Sequence, residues 1–295
     1  MTDIGPVLVL GAASWNRMIY VADLPQGTSA TVFEAHETES AGSTGVGKSM
    51  ALAALGCKPT LHCALGQDQH AALVRSACEA SKITMMVDEQ DAPTPHHLNI
   101  MDKNGGRYSL FLSNGPADPL IDESRIAPEI EAAQTIFLSL SASSRKILHL
   151  LKLTKAEILL DLHDYDGVNP WYDDFIAQAD VVQLSDVALR EPDLVIGSLL
   201  SGRAHQVVLT KAEKGAEIVT ARERIAVPAL PAKMMDSNGA GDAFSVALWY
   251  AQRSGRDLAP AGRFAAAAAA FAIESPMLFP ADITVAQIEE RAGLR

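Results

Sequence analysis

The chain has 295 residues, of which 48% are hydrophobic and 20% charged, enough to bury one large α/β core or two modest ones and too apolar for wholesale disorder. A formal net charge of −12 argues against a general nucleic-acid binder or a membrane-surface protein, since both need a basic face, but it leaves room for an anionic nucleotide in a local pocket of N–H groups. Cys57, Cys63 and Cys78 form no close pair, no apolar run reaches the length of a membrane span, and the start lacks a signal peptide's basic flank, so a cytoplasmic setting with buried structural thiols is expected.

In chain order, PVLVLG (6–11) is an all-apolar run suited to a central parallel strand. ATVFEAHE (30–37) alternates like a strand of a half-exposed sheet, and a helix is expected over 48–55. PTLHCALG (59–66) is a strand, followed by a helix from about Asp68 to Ala80. HHLNIMD (96–102) and RYSLFLS (107–113), separated by Lys103, Asn104, Gly105 and Gly106, read as a hairpin. From there the rhythm is βα: TIFLSL (135–140), ILLDL (158–162), DVVQLS (180–185) and QVVLT (206–210) are short strands, the last two separated by the helical stretch DVALREPDLVIGSLLSG. FAAAAAAFAI (264–273) is a buried or half-buried helix. The whole is expected to be one domain, 1–295, with a parallel sheet between helices and a small sheet inserted from about 14–38 and 93–113.

Two stretches compete for a phosphate. AGSTGVGKSMALAALG (41–56) contains G-x-x-x-x-G-K-S from Gly42 to Ser49, the spelling of a P-loop. A P-loop also needs a buried apolar strand running into its first glycine, and HETESA (36–41) carries three titratable side chains instead. An acidic residue closing another strand is required as well, and ILLD, ending at Asp161, offers one. The second stretch is MMDSNGAGDAFSVALWYAQ (234–252), where Gly239, Ala240 and Gly241 lie between Asp236 and Asp242 just ahead of a helical segment. Small residues there let backbone N–H groups approach an anion, and the helix dipole favours negative charge. Asp242 at the mouth of such a site could take a proton from a hydroxyl while the N–H groups hold the phosphoryl group. A plain helix cap is the other reading of Asp242.

DSNGAGDAF resembles the D-T-x-G-A-G-D signature of the PfkB, or ribokinase-like, carbohydrate and nucleoside kinases. GSTGVGKSMALAALG is similar to that family's first motif, ALGQDQHAALV to its G-x-D segment, and Thr94 stands at the threonine before the lid hairpin. KNGGRYSLF, LDLHDYDGVNPW, VVLTKAEKGAEIV and Arg263-Phe264-Ala265 resemble later segments in the same order over nearly the whole chain. The resemblance implies a three-layer α/β/α ribokinase-like fold with a mostly parallel central sheet and a small β-sheet lid. It implies a kinase moving the γ-phosphate of ATP to a hydroxyl of a sugar or sugar-like molecule, with nucleoside phosphorylation or weakly active ligand binding as alternatives. Asp242 falls on the general base and Gly239, Ala240 and Gly241 on the anion hole. Thr210, Lys211, Ala212, Glu213 and Gly215 fall on the donor-nucleotide loop, and Asn16, Gly42, Ser43 and Thr44 on the acceptor side with Asp242. Asp236 and Asn238 match a monovalent-cation site that holds K⁺ in some members, and Asp186 lies in the Mg²⁺ region. A homodimer through the lid is also implied, and the P-loop spelling becomes a coincidence inside the acceptor-side motif.

This chain departs from the family at several points. Asn16 replaces the usual Asp, Gly47 replaces the Asn of the first motif with Lys48 beside it, and the N-x-x-E motif reads Ser185, Asp186, Val187, Ala188. Lys211 and Ala212 replace the Leu-Gly of the nucleotide loop. Trp15, Phe33, Tyr108 and Phe111 could stack on a base or pack as ordinary apolar residues.

Overall fold

The computed structural model describes residues 4–295 apart from 25, 28, 30, 104 and 105. The chain opens with β1 (Val7–Leu10), β2 (Ser14–Val21), β3 (His36–Gly42), α1 (Thr44–Ala54), β4 (Pro59–Gly66), α2 (Gln69–Ala80) and β5 (Thr84–Gln90). It continues through β6 (His96–Asp102), β7 (Arg107–Ser113), α3 (Glu123–Ala132), β8 (Thr135–Ser139), α4 (Ala142–Lys146) and β9 (Glu157–Asp161). Next come α5 (Asp173–Ile176), β10 (Val181–Ser185), α6 (Pro192–Ser201), β11 (Gln206–Thr210), β12 (Ala216–Thr220) and β13 (Arg224–Val227). The helices α7 (Ala240–Arg253), α8 (Leu258–Ile273) and α9 (Val285–Arg291) close it.

Nine strands form one sheet in the order β13-β12-β11-β10-β9-β8-β1-β4-β5, parallel except where β12 and β13 run antiparallel at one edge. Side chains alternate across a strand, so a central parallel strand must be apolar on both faces. In β1, Val7 and Val9 pack into one hydrophobic cluster with α1, α7 and α8, while Leu8 and Leu10 pack into another with α3 and α6. Helices therefore cover both faces and make three layers. Ala-rich α8 lets α7 lie close against it, with Ala265, Ala267 and Ala272 wholly buried.

The second sheet has the order β3-β2-β6-β7, with β2 and β6 parallel and the two outer pairs antiparallel. The strand expected over 30–37 lies instead at His36–Gly42, in the HETESAG stretch judged too polar, and 31–35 are irregular. The polarity argument holds for a strand buried on both faces, but β3 is an edge strand whose first four residues are exposed. The hairpin strands lie where expected; Asn104 and Gly105 of its turn fall outside the described residues.

Strands β5, β12 and β13 were not anticipated. Each lies at or next to a sheet edge, where polar residues interrupt the apolar run, as Asp88 and Glu89 do in β5. Helix α1 begins four residues before the expected start, and of the 186–202 stretch only Pro192–Ser201 is helical. Among the described residues no helix is long and apolar enough to cross a membrane.

Candidate active site

In a parallel sheet every strand delivers its C-terminal residue to the same edge, which is where such folds bind ligands. Asp161, Ser185 and Thr210 end β9, β10 and β11 on that edge. The start of α7 meets them there, because the Gln183 amide donates both to Asp161 Oδ2 at 3.3 Å and to the Gly241 carbonyl at 3.0 Å.

Gly239 is the N-cap of α7, at φ 80°, and no side chain caps the helix. A β-carbon there would lie closer than 3.0 Å to the Leu278 carbonyl oxygen, so both the left-handed backbone and the close approach require glycine. Ala240, Gly241 and Asp242 occupy the first turn, whose N–H groups have no acceptor within the helix. The stretch thus has the geometry of an anion site, small residues included. Asp242 is not a cap: its side chain turns inward, is buried, and pairs through Oδ1 with Lys48 Nζ.

Lys48 is only 1% exposed and also binds Asp161 Oδ2 at 2.9 Å. The lysine of the P-loop spelling is therefore clasped by two carboxylates inside the protein. A strand does run into Gly42, but it is the exposed antiparallel β3 of the smaller sheet. Burial pushes the Asp242 carboxyl above the ordinary aspartate range, with Lys48 pulling down and Asp161 adding to the rise. Burial would raise Asp161 too, but interaction with His163 and Lys48 wins and holds it at about 2. For Lys48, burial opposes the charge, yet the two carboxylates outweigh it and raise its pKa.

The residues expected on the acceptor side come together one turn away. Ser43, at φ 71°, precedes α1 and spends its hydroxyl on Ser14 Oγ at 2.8 Å instead of capping the helix. Ser14 Oγ donates to Asn16 Oδ1 at 2.8 Å, and a β-carbon on Gly42 would collide with the Asn16 amide. Thr44 is the first residue of α1, and the Gly47 N–H bonds the Ser43 carbonyl at 3.0 Å. Gly47 faces Asp242 so closely that a β-carbon would lie within 3.0 Å of Oδ2. Helix α1 thus joins the Asn16–Ser14–Ser43 cluster to the Asp242 carboxylate.

The loop expected to take the donor nucleotide follows β11. Thr210 Oγ1 donates to the Leu184 carbonyl at 3.3 Å, tying β11 to β10, while Lys211 Nζ pairs with Glu217 at 2.6 Å. Ala212 (φ 48°) and Gly215 (φ 89°) make the turn, with Ala212 and Glu213 exposed between them. Asp236 is buried and accepts from the Asn238 N–H at 2.8 Å, and Asn238 Oδ1 accepts from Arg107 of β7. Ser185 and Ala188 supply neither amide nor carboxylate, and Asp186 bonds through its N–H to the Thr210 carbonyl at 3.0 Å. Among the described residues no cluster of three or more His, Cys, Asp or Glu could hold a metal.

Gln183 escaped the sequence reading as a site residue, and Lys48 and Asp161, weighed there only as parts of a P-loop, are instead partners of Asp242. Their signal was polarity out of place: a lysine in an Ala-rich helix, and Asp161 and Gln183 inside apolar strands. Of the aromatics, Trp15 is buried, whereas Phe33, Tyr108 and Phe111 are exposed.

The described pfkB family carbohydrate kinase pattern matches residues 7–278. The chain is 29% identical over 287 residues to the acarbose 7(IV)-phosphotransferase of Actinoplanes sp., covering 94% of each. Its fold is similar to that of the microbiome-derived acarbose kinase Mak1, with TM-score 0.86 and 26% identity over 98% of this chain and 99% of that one. It is similar also to Arabidopsis thaliana ribokinase, solved with ribose and ATP, with TM-score 0.81, 19% identity and 98% of each chain covered. The three layers and the added four-stranded sheet are thus those of the ribokinase-like fold, and the chain belongs to the pfkB family of carbohydrate kinases.

Proposed function

We propose that this enzyme transfers the γ-phosphate of ATP to a hydroxyl of a sugar or sugar-like acceptor, with Asp242 as general base. The observation that carries this reading is a buried carboxylate on the first turn of a helix whose first N–H groups have no acceptor among the described residues. Oδ1 of Asp242 is engaged by Lys48, and among the described residues no donor binds Oδ2, so Oδ2 accepts the proton of the attacking hydroxyl. The N–H groups of Ala240 and Gly241 face the phosphoryl group as charge develops on it, the donor loop from Thr210 to Gly215 holds the nucleotide, and Asn16, Ser14 and Ser43 orient the acceptor.

Magnesium would neutralise charge on the ATP phosphates. With Ser185 and Ala188 in place of Asn and Glu, the residues present do not fit the family's arrangement, so the ion would take its ligands mainly from the nucleotide and water. The four-stranded sheet closes over the acceptor and excludes water, which limits ATP hydrolysis. Its outer strand β7 leaves Tyr108, Leu110, Phe111 and Leu112 exposed, an apolar edge suited to a second copy of the chain.

The sugar reading draws on the pfkB match and on the relatives named for acarbose phosphorylation. Its test is ADP release from ATP across acarbose, maltotriose, ribose, fructose, adenosine and inosine. Acceptor-dependent turnover on one or more sugars is expected. Turnover on nucleosides alone would replace the sugar reading, and none at all would make the chain a binding protein.

A further inference from the structure

We propose that Lys48 is the positioning residue of the general base, fixing the Asp242 carboxylate beside the anion hole and supplying the charge that keeps it ionised. The proposal rests on the phosphotransfer reading above. It starts from an anomaly: a lysine 1% exposed on the inner face of a helix. A buried ammonium costs several kcal/mol unless it is fully paired. Lys48 is paired with carboxylates from two different elements, Asp161 at the end of β9 and Asp242 in α7. Gly47 supplies the space, since any side chain there would displace Asp242 Oδ2.

The two carboxylates are held unequally. Asp161 has further donors in the His163 N–H at 3.0 Å and the Gln183 amide at 3.3 Å. Asp242 has Lys48 alone among the described residues. Asp161 is therefore the anchor, Lys48 the bridge and Asp242 the group being set. The Gln183 amide also binds the Gly241 carbonyl, so one chain of contacts locates both the base and the anion-hole turn.

The ionisable groups acting on Asp242 are Lys48 from α1, Asp161 from β9 and His163 just beyond β9. Lys48 with its two carboxylates sums to one negative charge. Without Lys48, two carboxylates share a water-poor site, and one must take up a proton. Because Asp161 keeps its other donors, the proton goes to Asp242, and a protonated Asp242 cannot accept one from the acceptor. If Lys48 merely braced α1 against the sheet, its removal would lower stability and leave the ionisation of Asp242 alone.

The test is a pH titration of the protein labelled with ¹³Cγ-aspartate, followed by NMR, with the Asp242 resonance assigned by its loss in Asp242→Asn. In Lys48→Met the Asp242 titration should move up by about 1–3 pH units. In Asp161→Asn, which removes the competing negative charge and keeps Lys48, it should move down. The acid limb of kcat/KM for an acceptor identified by the panel should follow in the same directions. An Asp242 titration unchanged in both variants overturns the proposal, and so does a shift of the same sign in both. Should Lys48→Met not fold, the direction of the Asp161→Asn shift decides. The phosphotransfer reading fails separately, by retained turnover in Asp242→Asn, whatever the titrations show.

Discussion

Gly47→Ala is the smallest change that reaches the proposed base. The added methyl would lie under 3.0 Å from Asp242 Oδ2, where ordinary contact is 3.4–4 Å, so either the carboxylate or α1 must move. The displacement needed is on the order of 1 Å, and misplacing a catalytic group by about that much costs roughly 10²-fold in rate. Overpacking of this kind costs about 1–3 kcal/mol, while Gly→Ala inside a helix returns about 1 kcal/mol. The net loss of stability is therefore about 0–2 kcal/mol, a few degrees in melting temperature for a domain of this size. Thermal melts, ATP affinity and acceptor-dependent ADP release on the same preparation separate these effects. A turnover loss of roughly 10²-fold with a small melting shift and unchanged ATP affinity is expected. Turnover within a few-fold of wild type would mean that the position of Asp242 does not govern the reaction.

Gly239→Ala forces a side chain into a left-handed residue and against the Leu278 carbonyl, and should lower both stability, by about 1–2 kcal/mol or more, and turnover; an unperturbed melt and rate would show that the turn before α7 is not rigid. Restoring the magnesium motif with Ser185→Asn and Ala188→Glu should lower the free Mg²⁺ needed for half-maximal rate. An unchanged titration would mean that 185–188 do not lie near the phosphates. Light scattering at micromolar concentration should give a mass above the 31.4 kDa of the single chain; that mass alone would exclude pairing through β7.

The βα rhythm from residue 135 onward was legible because buried parallel strands must be apolar on both faces, and β8 to β11 carry that mark plainly. The glycines before α7 were legible because tight turns and close approach admit few other residues. What periodicity could not show was the small sheet's edge: HETESAG is charged because it is solvated, and only its pairing with β2 makes it a strand. The Lys48–Asp161–Asp242 cluster was hidden for another reason. Its members are separated by 113 and 194 positions in the chain, so the out-of-place polarity of Lys48 and Asp161 is visible locally while their meeting is not. The same motif that spells a P-loop gave the site its counterion.

The central claim is that Asp242 takes the acceptor's proton, and the turnover of Asp242→Asn measures it most directly. The amide is isosteric, Gly239 rather than Asp242 caps α7, and Lys48 keeps Asp161, so the fold should survive. General-base contributions are about 10²–10⁴-fold, or roughly 3–5 kcal/mol of barrier. The account predicts a loss of turnover in that range, with melting temperature and ATP affinity near wild type. Phosphorylation of the acceptor at a rate within a few-fold of wild type would contradict it.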